Sequence, residues 1–130
     1  MTRHDTNLTA LDELRANVAV PFQQARAMPK SVYTDPAFLA LEEKHIFARD
    51  WLSAGRAEVL KAPGDYLTMT ISGEPVIILR DKDGALRGLS NVCRHRMSTL
   101  LEGSGNVRSI VCPYHAWTYN LDGSLRGAPA

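Results

Sequence analysis

The chain has 130 residues, 45% apolar and 22% charged, and a formal net charge of +1, which suits one ordinary domain with a real core and leaves little room for two. So balanced a charge argues against a nucleic acid or an anionic membrane surface as partner. The longest mostly apolar run, PVIIL at 75–79, is far too short to cross a bilayer and the N-terminus carries no apolar signal core, so a cytoplasmic protein is expected.

Helices are expected in roughly the first fifty residues. Leu11, Leu14 and Val18 recur at helical spacing, and Pro21 and Pro29 then interrupt. A second helix should open at Asp35, whose side chain suits a cap, with Pro36 in a first turn where its missing N–H costs nothing. Phe38, Leu41, Ile46 and Phe47 are its expected core positions. From Trp51 onward the pattern is that of strands. Leu67, Met69 and Ile71 alternate with Thr68 and Thr70, the period of a half-buried strand. Ser72-Gly73 predicts a hairpin turn into PVIILR, and Asp83-Gly84 a turn into ALRGLSNV. Gly103 and Gly105 predict sharp bends. SIV (109–111), AWTYN (116–120) and SLRG (124–127) read as short strands, the last two joined by Asp122-Gly123. Many short strands with tight turns predict an antiparallel sandwich or small barrel, and neither an internal repeat nor a low-complexity segment is evident.

The chain has two cysteines, each with a histidine beside it: CRHR at 93–96 and CPYHAW at 112–117. A cytosolic setting disfavours a disulfide, and the adjacent histidines point to metal. Sixteen residues, 96–111, separate His95 from Cys112, and each pair follows a predicted strand. Cys93, His95, Cys112 and His115 would suit a two-cysteine, two-histidine zinc site or a Rieske [2Fe–2S] cluster. Zinc loops usually present one kind of ligand each, whereas here each loop offers one cysteine and one histidine. That mixture is natural if each loop reaches across two irons, with sulfur on the inner one and nitrogen on the outer. The plainer alternative is two unrelated buried cysteines beside two satisfied histidines.

At these residues the sequence resembles the Rieske non-haem iron oxygenases, the large (α) subunits of aromatic ring-hydroxylating and related oxygenases. CRHR and CPYHAW resemble their cluster motif, YTDPAFLALEEKHIFARDW (33–51) their N-terminal helices, and residues 64–96 their first strands. The resemblance implies a mostly β fold with N-terminal helices: a helical arm over 1–49 and, over 50–130, a Rieske-type antiparallel β-sandwich or small barrel with two cluster-binding loops. It also implies that Cys93, His95, Cys112 and His115 hold the [2Fe–2S] cluster. Two departures are visible, Ala116 where the family often has glycine and Met97 where a small residue is common. Trp117 and Tyr114 are expected either to shield the cluster or to be ordinary core aromatics; Arg94 and Arg96 are expected to be solvated. His4 and His45 are expected to be surface histidines.

Two neutral imidazoles in place of two thiolates make such a cluster easier to reduce than a four-cysteine one, with potentials of about −150 to +300 mV. Respiratory Rieske proteins add hydroxyl groups bonded to cluster sulfur. Trp117 stands where a serine hydroxyl would be, so the low end of the range is expected, with reduction coupled to imidazole protonation at alkaline pH. The family also implies a mononuclear Fe(II) site in a C-terminal catalytic domain, for which this stretch has no ligands. It implies electrons from a reductase or ferredoxin using NAD(P)H, passed to the catalytic domain of a neighbouring subunit, usually in a homotrimer. Its substrates include aromatic acids, aromatic hydrocarbons and quaternary amines. A free-standing Rieske ferredoxin-type carrier and a zinc module are the alternatives.

Overall fold

The structure, a computed structural model, describes residues 9–129, and the chain divides between Trp51 and Leu52 into two compact units. The first is helical. Helix α1, Ala10–Val18, is capped by the Thr9 hydroxyl, which accepts the Asp12 N–H at 3.3 Å. Asn17 then holds the following loop by accepting the Arg26 N–H at 3.1 Å. Helix α2 spans Lys30–Thr34, and its Ser31 hydroxyl donates to the Glu13 carboxylate of α1. Helix α3, Pro36–Glu42, starts as expected: Pro36 occupies the first turn and Asp35 Oδ1 accepts the Ala37 N–H at 2.9 Å.

Only Phe38 of its four expected core positions is buried; Leu41, Ile46 and Phe47 are exposed. For Ile46 and Phe47 the reason is local, and nothing in the structure explains the exposure of Leu41. α3 runs straight into a π turn, Glu43–Phe47, closed by the Ala48 N–H on the Glu43 carbonyl at 3.0 Å. The wider turn rotates later residues around the axis, so spacing counted at 3.6 residues per turn no longer lines one face.

The second unit is antiparallel β. Strands β1 (Asp65–Ile71), β2 (Glu74–Arg80), β3 (Leu86–Ser90) and β4 (Ser104–Asn106) form one sheet in the order β3-β2-β1-β4. β5 (Ile110–Val111), β6 (Thr118–Tyr119) and β7 (Leu125–Gly127) form a second. Ser72 and Gly73, at φ 47° and 84°, make the two-residue turn between β1 and β2 with both central residues left-handed, which suits the twist of the strands it joins. The sheets share one core. Ile77 and Leu79 of β2 are fully buried against Ile110, Leu100, Tyr119, Leu121 and both cysteines. That core holds the two cysteines under the loops that carry the histidines.

Strand β4 corrects the expectation of a bend at both glycines. Gly103 does turn, at φ +64°. Gly105 lies in β4 opposite Tyr66, and a Cβ there would come within 3.2 Å of the Tyr66 ring. It is glycine to make room for the ring, not to turn.

Gly64 is a stricter case. At φ +90° its Cβ would sit 2.2 Å from the Val107 carbonyl oxygen, while its own N–H and C=O bond Arg80 and Val107. Gly64→Ala is expected to destabilise this unit by about 3 kcal/mol, because backbone cannot move aside as a flexible side chain could. A denaturant midpoint equal to that of the parent chain would refute this.

Three aspartates fasten the turns. Asp81 is buried; its Oδ1 accepts the Asp83 and Ala85 N–H groups, each at 2.9 Å, and its Oδ2 takes Arg87 Nε at 2.7 Å. The Arg87 hydrogen bond holds the Asp81 carboxyl below the ordinary range. The Ala62 N–H does the same for Asp65, and the Ser124 hydroxyl for Asp122. A depressed carboxyl stabilises the fold at pH above its unfolded value, about 3.9, and that contribution is lost as pH falls through the folded value. Thermal midpoints should therefore hold from neutrality to about pH 5 and drop below about pH 4. Circular dichroism melts should show a shallower drop for Asp81→Asn. An equal drop in both would count against these carboxyls.

Candidate metal centre

The two loops are built alike, a duplication not read from the sequence. Val92-Cys93 and Val111-Cys112 each leave a strand, and Thr99 and Thr118 close each loop by pairing back to Val92 and Val111. In the first loop the Cys93 N–H donates to the Ser98 carbonyl at 2.8 Å and the Met97 N–H to the Cys93 carbonyl at 3.0 Å. In the second, the Cys112 N–H donates to the Trp117 carbonyl at 2.8 Å and the Ala116 N–H to the Cys112 carbonyl at 3.1 Å. The signal was present as a valine-cysteine pair followed six residues later by threonine, in VCRHRMST and VCPYHAWT.

Met97 and Ala116 occupy equivalent places, both at φ 56°. These are the two departures noted in the sequence. A left-handed residue costs about 1–2 kcal/mol, and glycine would return about 0.5–1 kcal/mol of that in unfolded-chain entropy, so the net cost of tolerating a side chain is small. Met97 is 75% exposed and takes no part in the core cluster.

The donor atoms fall into two pairs. Cys93 and Cys112 are 1% and 3% exposed, form no disulfide, and share one core cluster. His95 and His115 are exposed, with ring centroids 4.9 Å apart in an edge-to-face arrangement. Among the described residues no three His, Cys, Asp or Glu side chains converge as ligands of a single ion. Two sulfurs together below and two imidazoles together above fit a bridged pair of irons, one iron for each pair.

The surroundings suit thiolates. Burial alone would push the Cys93 thiol up. The Tyr119 hydroxyl, the His95 and Arg96 N–H groups and Cys112 outweigh it, and the net direction is down. Tyr119, buried on β6, places its hydroxyl 3.3 Å from Cys93 Sγ and accepts the Arg94 N–H at 3.1 Å. Burial first, then the Cys93 thiol, hold that hydroxyl protonated beyond its ordinary range. Facing a thiolate, it can only donate. The hydroxyl facing sulfur is not at position 117, where Trp117 stands, but two residues on, at Tyr119.

Of the neighbours singled out in the sequence, Trp117 is half-buried against the core and stacks on His95, with centroids 4.9 Å apart and planes within 5°. Tyr114 is exposed and lies over His115 at 3.7 Å. Arg94 and Arg96 are exposed, with no carboxylate in salt-bridge contact among the described residues. His45 is exposed in the π turn; His4 lies outside the described residues. Among the described residues no helix is long and apolar enough to cross a membrane.

Known proteins resemble this arrangement closely. The Rieske [2Fe-2S] domain profile matches residues 50–130. The carnitine monooxygenase oxygenase subunit of Acinetobacter baumannii is 40% identical over 119 residues, covering 91% of this chain and 32% of that subunit. A solved quaternary ammonium Rieske monooxygenase, described for carnitine oxidation by gut microbiota and inter-subunit electron transfer, is 46% identical with a TM-score of 0.72, covering 77% of this chain and 28% of that one. Naphthalene 1,2-dioxygenase from Rhodococcus sp. is 32% identical with a TM-score of 0.80, covering 94% and 27%. The chain belongs to the Rieske [2Fe–2S] domain family and is similar to the Rieske part of oxygenase α subunits. Its cofactor is thus a [2Fe–2S] cluster. It spans about a third of the length of the curated relatives it matches.

Proposed function

We propose that Cys93 and Cys112 hold one iron of the cluster and His95 and His115 the other, and that the domain relays single electrons to a mononuclear Fe(II) site in an oxygenase. The observation that carries this reading is the split of the donors into a buried thiol pair and an exposed imidazole pair on two matching loops. Bound there, the cluster supplies reversible one-electron transfer. The cysteines anchor it within the core, away from water. The histidines face outward, where a partner can approach. Tyr119 steadies the Cys93 sulfur, and the Arg94 N–H fixes the Tyr119 hydroxyl.

The partners that suit this exposed edge are a reductase or ferredoxin drawing on NAD(P)H and the catalytic domain of a neighbouring subunit, in a homotrimer in the cytoplasm. The inter-subunit electron transfer described for the quaternary ammonium monooxygenase supports that relay. Of the substrate classes that the family resemblance implies, quaternary ammonium compounds are favoured here over aromatic ones. Identity is 40% and 46% to the two proteins named for such chemistry, against 32% and 39% to two naphthalene dioxygenases.

Anaerobically purified protein should contain about two irons and two acid-labile sulfides per chain, and should give a rhombic electron paramagnetic resonance (EPR) signal when reduced. A colourless protein holding only zinc would end this reading.

A further inference from the structure

Both histidines are covered by aromatic rings, and both rings come from the second loop. Tyr114 covers His115, its own neighbour in the chain. Trp117 reaches across to His95 of the first loop and lies flat on its ring. The first loop has nothing equivalent to offer. Where Trp117 stands in the second loop, the first has Ser98: each gives its carbonyl to its loop's cysteine N–H, and the Ser98 hydroxyl turns to the Thr99 carbonyl at 3.3 Å. Trp117 is itself well held, because its carbonyl is tied to the Cys112 N–H and its side chain packs against the core.

We propose that Trp117 is the positioning residue for His95, fixing the plane of that imidazole from the opposite loop; this rests on the cluster assignment above. His95 is exposed, and its loop supplies no ring to restrict rotation of its side chain. A flat indole at 5° removes that freedom and covers one face of the imidazole from water. The second loop therefore sets the orientation of both histidines, while the first supplies His95 without orienting it.

The test compares Trp117→Leu, Trp117→Phe and Ser98→Ala with the parent protein, all reduced with dithionite. The readouts are the EPR g-values and the rate at which visible absorbance is lost to a chelator. A stack of this kind corresponds to about three- to tenfold in an equilibrium, so Trp117→Leu should shift the g-values and lose its cluster about three- to tenfold faster. Trp117→Phe, which keeps a flat face and also guards against a leucine variant that fails to fold, should restore most of both. Ser98→Ala should match the parent. Parent-like g-values and loss rates in Trp117→Leu, or equal disturbance in the phenylalanine and leucine variants, would overturn the proposal while leaving the cluster assignment standing. A parent protein with no rhombic signal would instead remove the cluster assignment, and this proposal with it.

Discussion

Replacing Cys112 with alanine is expected to give a colourless chain that melts well below the parent. Cys112 Sγ is one of only two thiols, and it lies buried in the same core cluster as the other. No neighbouring side chain can take its place as a soft anionic donor. A bound cluster contributes its binding free energy to folding, because the unfolded chain does not assemble the site. If that contribution is a few kcal/mol, a unit of this size should lose more than about 10 °C in Tm. His115→Ala separates the two roles. The ring is exposed, so its removal should leave the metal-free fold as stable as before while abolishing or shifting the visible spectrum. Absorption spectra, iron-to-protein ratios and melts of the parent and both variants check this. An unchanged spectrum in Cys112→Ala would remove the thiolate from the site.

Tyr119→Phe is expected to lower the midpoint potential by about 40 mV. A hydroxyl 3.3 Å from Cys93 Sγ donates more strongly as negative charge accumulates on the sulfur, so it favours the reduced state. A difference of about 1 kcal/mol between oxidation states corresponds to about 40 mV for one electron. Phenylalanine keeps the ring in the core and removes the hydrogen bond, at the further cost of leaving the Arg94 N–H without its acceptor. A spectroelectrochemical titration of parent and variant at one pH reads the shift, and equal midpoints would refute the role given to Tyr119. The size of the effect bears on the low potential expected from the sequence. About 40 mV is small against a range of about −150 to +300 mV, so one hydroxyl raises the potential without moving it to the high end.

Much of the β unit was legible because its signals are local. The Ser72-Gly73, Asp83-Gly84 and Asp122-Gly123 turns are dictated by which residues accept left-handed backbone, and the structure has glycine at positive φ in all three. Asp35 and Pro36 marked a helix start for an equally local reason. The misreadings had two sources. Gly105 reads as a bend until Tyr66, far away in the chain, lies across from it, and Ile46 and Phe47 read as core because no local pattern signals the π turn that rotates them outward.

The candidate site divides along the same line. Its donor types were visible, since each cysteine lies within three residues of a histidine, and so was their placement on two loops after strands. The duplication of the loops was written in the sequence but lay in flanking valines and threonines, which carry no chemistry of their own.

By itself the sequence determined the chemistry on offer: two thiols and two imidazoles, delivered one of each per loop. The tertiary structure decided how they are used, with sulfurs inward and rings outward, Tyr119 against Cys93 and Trp117 over His95. Those contacts join residues far apart along the chain, and they exist only because the pairing of Val111 with Thr118 and of Val92 with Thr99 sets both loops side by side over one core.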